Sequence, residues 1–407
     1  MLGYRKYSFL RAHELLSRLH SNLDDMDALK NLQQLLCREI IRAEKKGREI
    51  RGNLKAIQRN GGAAGQKKAS SLKGRLEKVR KVAYVWRCFG DAIAFAYLSK
   101  YALKQSFYSI HSTNPKQGAG FLFEKKGLAN EISVVEAMLQ EGVPALLTDL
   151  TNTIRYGDVC IMVGADPILI EVKSSRNLDK RGKRQKRELE QLDQLFRTDK
   201  AENWRGMGSV RRVEFGGGEE KTYVDQLQLT ISTAVQKGYC VAEPEPGLYY
   251  VVFAPGAPPV SDVLGTLSFK KPWFFFLNTM KNEQAWSPYV PFITSIKDRD
   301  HLWAFIRGDI FIVVSVDFEE LIDIVRKAGG SAELDLENGE YPLRIEVSGM
   351  EGGGLMPSSH LLTRIGLEFV SPSWLIETSI RGIRKRAADI LADDLALFPE
   401  AKAEENS

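Results

Sequence analysis

The sequence offers little to thiolate or imidazole metal chemistry. Its four cysteines, Cys37, Cys88, Cys160 and Cys240, lie far apart and form no CxxC pair. That spacing signals neither a zinc site nor a disulfide framework. The five histidines, His13, His20, His111, His301 and His360, are equally scattered. Long hydrophobic runs are missing: AIAFAYL at 92–98, the most apolar helical stretch, is far too short to cross a bilayer. A phosphate loop is missing as well. FGGGEEKT, 215–222, has Glu220 where the pattern needs glycine before lysine, and GMEGGGLMPSS, 349–359, has no lysine. No helix-turn-helix, zinc-finger or RNA-binding signature is visible, and no internal repeat. The opening residues, MLGYRKYSFLRAH, have no apolar stretch of the secretory kind. These absences lead to the expectation of a cytoplasmic protein with reduced thiols and no membrane contact.

What is present is a chain able to build a core. Of its 407 residues 43% are hydrophobic and 27% charged, ordinary for a folded protein of two or three domains. The net charge of +5 is unevenly spread. Residues 41–81 carry 14 Lys/Arg against 3 acids, and residues 389–407 carry 6 acids and a single lysine. The basic stretch suits a polyanion, and the acidic end reads as a solvated tail.

Leucines recur at three- and four-residue steps from Leu10 to Leu36, so residues 9–59 read as helix with a break near Ser21 or Asn22. A second helical segment is expected from about Ser70 to 105. Together they form a basic helical arm over 1–115. Residues 127–142 read as an amphipathic helix, LLTDL as a short strand, 183–196 as a charged helix, 224–239 as a helix and LYYVVF, 248–253, as a strand. APGAPPV, 254–260, reads as a boundary. Beyond it PWFFFL, DIFIVVSV, FEELIDIVRKA and LRIEV suggest an α+β region over 256–388, ahead of the tail at 389–407.

The chemistry concentrates in GDVCIMVGADPILIEVKSS, 157–175. It reads as two strands joined by a turn. Side chains alternate along a strand, so Glu171 and Lys173 share a face, about 7 Å apart. A two-residue turn at Gly164-Ala165 sets Asp158 opposite Glu171; a four-residue GADP loop sets it opposite Lys173. Either way the three polar side chains face the same way, among strands otherwise apolar on both faces. Two acids there need a proton, an ion pair or a metal.

Asp158, twelve intervening residues and then Glu171-Val172-Lys173 resemble the PD-(D/E)XK nuclease superfamily, with Gly157 where the name has Pro. The order of elements over 116–255 resembles it too. The resemblance implies an α/β fold of the restriction-endonuclease-like kind, a mixed sheet flanked by helices. It implies a Mg²⁺-dependent nuclease, with Mn²⁺ as a substitute ion. Asp158, Glu171 and the Val172 carbonyl would hold the metal, and Lys173 would orient or activate the attacking water. Glu131 is the choice for the acid that many members carry on the first helix, with Glu136 as the fallback. Five residues turn a helix by about 500°, so only one of the two faces the site. Arg155, Ser174, Ser175, Arg181, Lys183, Arg184 and Gln191 are the candidate nucleic-acid contacts, with Asn152 and Gln194 as lesser ones. Residues 176–190 carry 7 Lys/Arg against 3 acids and follow the site directly. Double-stranded DNA is the expected partner and a bacterial restriction or anti-phage system the expected setting, with a partner subunit conceivable. The competing readings are a non-catalytic nucleic-acid-binding module on the same fold, and a scaffold that self-associates through its N-terminal leucines.

Overall fold

The computed structural model describes residues 5–59, 63–172, 180–212, 219–350 and 354–397. The chain packs into two units. One comprises Met1–Arg212 and Met280–Trp303; the other comprises Val213–Thr279 and Ala304–Ser407.

In the first unit the leucine periodicity becomes α1 (Lys6–Ser21) and α2 (Met26–Arg59). Next come α3 (Ala63–Tyr97) and α4 (Lys100–Phe107). α3 begins well before the expected start near Ser70. Leu15, Leu16, Leu19, Leu29, Leu32, Leu35 and Leu36 are all buried within the chain. These leucines are therefore taken up by the chain's own packing. The basic stretch forms the distal part of an α2/α3 hairpin. Ala43, Ile50 and Leu54 on one helix and Leu72, Leu76 and Val79 on the other are buried. Lys45, Arg48, Lys55, Lys67, Lys68, Lys73, Arg75 and Lys78 stay exposed.

α5 (Leu128–Gln140) leads into a sheet of three strands, β1 (Ala145–Leu147), β2 (Val159–Ile161) and β3 (Ile168–Ile170). Their order is β1-β2-β3 and both pairings are antiparallel. Only the first half of LLTDL is strand; Thr148–Leu150 turns as a 3-10 helix. Gln33 of α2 covers the free edge of β1, donating to Ala145 O at 2.9 Å and accepting from Leu147 N at 3.1 Å. An edge closed this way cannot template another strand. Gly90 of α3 lies so close to the 3-10 turn that a Cβ there would sit 1.9 Å from Leu150 O. α6 (Lys180–Thr198) follows, then the hairpin of β4 (Lys200–Trp204) and β5 (Met207–Arg211). Leu192 and Leu195 of α6 pack with Tyr156, Trp204 and Leu169 of β3.

The second unit holds α7 (Val224–Lys237), β6 (Tyr239–Glu245), β7 (Leu248–Phe253), α8 (Val260–Leu264) and β8 (Pro272–Phe276). The short helices α9 (Leu277–Asn282), α10 (Phe292–Ser295) and α11 (Arg299–Arg307) carry the chain through its return to the first unit. Back in the second unit are β9 (Phe311–Asp317), α12 (Phe318–Lys327), β10 (Gly330–Leu334), β11 (Leu343–Val347), β12 (Gly354–Leu355), α13 (Ser359–Leu367) and α14 (Pro372–Leu397). The two sheets run β6-β7-β9-β8 and β10-β11-β12. Asp317 caps α12, accepting from Glu319 N at 3.0 Å.

The expected division of the chain and the expected mixed sheet need correction. The strand 248–253 does not complete a core over 116–255, because β7 pairs with β6 and β9 in the second unit. APGAPPV marks a turn inside that unit rather than a boundary, and the arm over 1–115 is continuous with the unit that holds β1–β3. The fold is mixed α/β, but among the described residues every sheet is small and antiparallel. The mixed sheet of the resemblance is therefore not what these strands form. Parallel neighbours need a long crossover, and the links from β1 to β2 and from β2 to β3 carry none.

Candidate functional site

β2 and β3 are joined by residues 162–167, a link longer than either turn expected. Val159 pairs with Ile170 and Ile161 with Ile168. The paired register ends there, and Asp158 and Glu171 lie just beyond it. Asp158 N donates to Ile170 O at 2.8 Å, and Val172 N donates to the Asp158 carboxylate at 3.0 Å. The side chain of Asp158 thus ties the end of the Glu171 strand to its own. Gly157 has φ of +70°, and a Cβ there would lie 3.0 Å from Ile170 O. Proline, locked near −65°, has no place at this position.

Glu131, on the first turn of α5, is 3% exposed. Its carboxylate meets Asp158 through a residue that sequence reasoning missed. Lys125 Nζ lies 2.8 Å from Glu131 Oε2, 2.8 Å from Asp149 Oδ2 and 3.1 Å from Asp158 Oδ1. Burial alone would lower the Lys125 pKa; the three carboxylates outweigh it and the net direction is up. Burial also raises the pKa of Glu131, against the hydrogen bond from Lys125. The segment bearing Lys125 is well anchored. Gly120 N donates to Asp149 Oδ1 at 3.0 Å, and Phe123 N to Glu44 Oε2 at 2.9 Å. Arg87 joins Glu44, Gly120 O and Asp149 O. Glu136 is elsewhere, beside Lys30 at 3.6 Å and Gln34 at 3.2 Å. The choice between the two glutamates is therefore Glu131 on geometry.

A second lysine serves the Glu171 side. Lys116 bonds Glu188 of α6 at 2.6 Å and lies 3.3 Å from the centre of the Tyr156 ring. Burial pushes its pKa down, while the charges of Glu188 and Glu171 pull it back up.

The expected nucleic-acid contacts divide into three groups. Lys173, Ser174 and Ser175 lie outside the described residues. Lys183 and Arg184 are exposed on α6, Arg181 stands in its first turn, and Gln191 and Gln194 are exposed as well. Arg155 and Asn152 are committed to the fold instead. Arg155 donates to Asn152 O and Lys116 O, its guanidinium covers the Phe107 ring at 3.9 Å, and burial lowers its pKa to about 10. Asn152 donates to Asp91 through its backbone and its side chain.

Mg²⁺ asks for hard oxygen donors at about 2.0–2.1 Å. Asp158, Glu171 and the Val172 carbonyl are donors of that type, and Glu131 and Asp149 bring two more carboxylates to Asp158. The spacing at their meeting point is that of an ammonium, and Lys125 fills it. Among the described residues no group of three or more His, Cys, Asp or Glu side chains is arranged to hold a metal ion. The donor chemistry suits the ion, and Lys125 stands in its way. Nor is any described helix long and apolar enough to cross a membrane.

Nothing in the sequence marks Lys125, which comes from a loop. Asp149 had a weak signal, an acid inside the otherwise apolar ALLTDL. No protein-family model, curated protein or solved structure matches the chain.

Proposed function

We propose that the chain is a metal-dependent nuclease of the PD-(D/E)XK kind, acting on double-stranded DNA as an endonuclease in a restriction or anti-phage setting. The observation that carries this reading is that Asp158, just before β2, Asp149, in the 3-10 turn, and Glu131, on α5, are brought to one ammonium. Separate elements deliver the three acids, and an ordinary surface ion pair gives no reason for such convergence.

Asp158 and Glu171, with the Val172 carbonyl, would hold Mg²⁺ or Mn²⁺. When bound, such an ion polarises the scissile phosphate and lowers the pKa of a water. Lys173, two residues after Glu171 in sequence, would orient the attacking water with its ammonium and offset charge building on the phosphate. The exposed cations of α6 and of the α2/α3 hairpin supply the backbone contacts, which salt weakens.

The test is nicking of supercoiled plasmid by the purified full chain, with Mg²⁺ and with EDTA. Cleavage that needs the metal and is lost in Asp158→Asn, Glu171→Gln and Lys173→Ala supports the reading. Cleavage that survives all three substitutions sinks it. The ammonium at the convergence of the acids favours one competing reading, a nucleic-acid-binding module without catalysis. Such a module binds DNA with the same affinity in Mg²⁺ and in EDTA, and those three variants leave its binding unchanged.

A further inference from the structure

The segment that delivers Lys125 to the acids also carries Phe121, which is 61% exposed. A lone apolar residue at a surface is ordinary, but the backbone holds this one in place. Leu122 beside it is buried. Gly120 N donates to Asp149 Oδ1 at 3.0 Å, and Gly120 O accepts from Arg87 at 3.2 Å. Phe123 N donates to Glu44 Oε2 at 2.9 Å. The chain is thus anchored on both sides of the exposed ring.

α2 lines this segment with cations. Glu44, Arg48 and Arg51 follow one another at four- and three-residue steps, so they share one face of the helix. The Arg51 guanidinium lies 5.1 Å from the centre of the Phe121 ring. The Arg48 guanidinium lies 5.8 Å from the centre of the Phe123 ring and pairs with Glu124. Lys55, one turn beyond Arg51, is exposed. An exposed aromatic ring therefore sits among cations, one residue from the backbone that holds Asp149.

That combination suits a nucleobase and its phosphate. A base stacks on an aromatic side chain only where its own face is free, and in an intact duplex the neighbouring pairs cover both faces. A cation beside the ring strengthens the stack and attracts the adjoining phosphate. A purely apolar partner has no use for the arginines, and an intact duplex has none for the ring.

We propose that Phe121 and Arg51 form a stacking platform for an unpaired base, so that the DNA bound beside the acids carries single-stranded nucleotides there, as at a flap or a frayed end. The inference rests on the nucleic-acid-directed reading above and narrows its substrate from double-stranded DNA in general to a duplex with an unpaired stretch. It needs no metal ion, so it is tested apart from cleavage.

The test measures binding of the full-length chain, in EDTA, to a labelled blunt duplex and to the same duplex with a single-stranded thymidine tail, by fluorescence anisotropy. The wild type is expected to hold the tailed duplex more tightly. Phe121→Ala should weaken that binding by about 5- to 150-fold, the loss of one stacked base, and leave the blunt duplex unaffected. Phe121→Trp keeps a ring and should keep the preference. A fluorescent adenine analogue placed in the tail reports the stack directly: the wild type quenches it, and Phe121→Leu, apolar but without a ring, does not.

A wild type that ignores the tail, or a Phe121→Ala that keeps the preference, overturns the proposal. Should Phe121→Ala not fold, Phe121→Leu replaces it, and equal affinity of that variant and the wild type for the tailed duplex is the overturning result. Plasmid nicking in Mg²⁺ is scored separately. Nicking without any tail preference leaves the metal-dependent reading standing and removes the platform. A tail preference that depends on Phe121 in a chain that never nicks upholds the platform and sinks the nuclease.

Discussion

Val172 N donates to Asp158 Oδ2 at 3.0 Å, tying the backbone just beyond β3 to the acid just before β2. One carboxylate therefore does two jobs, locking the strand end with one oxygen and meeting Lys125 with the other. Substitutions at Asp158 should separate the two. Asp158→Asn keeps an oxygen for Val172 N and is expected to stay folded while losing plasmid nicking. Asp158→Ala leaves Val172 N and Lys125 each short of an acceptor and should cost about 1–3 kcal/mol besides. Urea titration of both variants reads the difference, and equal stability of the two would mean that the strand lock matters little.

Glu131 and Glu136 share a helix and should behave oppositely. Glu131→Gln is expected to lower nicking by about 100-fold or more, since it disturbs the carboxylate beside Asp158. Glu136→Ala removes only surface interactions, with Lys30 and Gln34, and should change stability by no more than about 0.5 kcal/mol. Initial nicking rates at fixed Mg²⁺ distinguish them. A Glu136→Ala variant as inactive as Glu131→Gln would contradict the assignment.

Gly157 has φ of +70°, and a Cβ there would approach Ile170 O to 3.0 Å. Gly157→Ala should therefore destabilise the first unit by about 1–3 kcal/mol. Thermal unfolding checks the loss, and amide exchange at β2 and β3 shows whether the strand pair is where it falls.

Asp91 is buried in α3 and accepts from Asn152 N, Asn152 Nδ2 and Thr153 N. Burial raises its pKa to about 6 from 3.8, though those bonds oppose the shift. The folded state then holds a proton that the unfolded state has lost between about pH 4 and pH 6. Stability from this group is fully present below that window and falls as pH rises through it, by about 3 kcal/mol in all. Urea midpoints across that range, wild type against Asp91→Asn, isolate the contribution. A wild type that gains more than Asp91→Asn does as pH rises would reverse the sign and refute the assignment.

The hairpin cations Lys67, Lys68 and Lys73 are exposed and lie on α3, outside the acid cluster. If they meet phosphates, replacing all three with alanine should flatten the log–log dependence of DNA affinity on salt, by about 0.9 for each phosphate no longer neutralised. The substitutions should leave Mn²⁺ binding untouched. Fluorescence anisotropy with a labelled duplex at several salt concentrations measures the slope. An unchanged slope would place the DNA-binding surface elsewhere.

Periodicity and alternation determined much of this protein from sequence alone. The leucine steps marked α1 and α2, and the apolar runs beside Asp158 and Glu171 marked β2 and β3, because both are local properties of the chain. What only tertiary structure decided was how long the link between β2 and β3 is, which glutamate of α5 points inward, and where β7 finds its neighbours. Proline- and glycine-rich segments show where a chain turns, not which strands it pairs afterwards, so the boundary at 254–260 was misplaced. Lys125 and Asp149 reach Asp158 from 33 and 9 residues away in sequence, one from a loop and one from a 3-10 turn. No repeat or spacing records such a meeting, because it is made by packing α3 and α5 against the sheet, and long-range packing leaves no periodic mark on the residues it brings together.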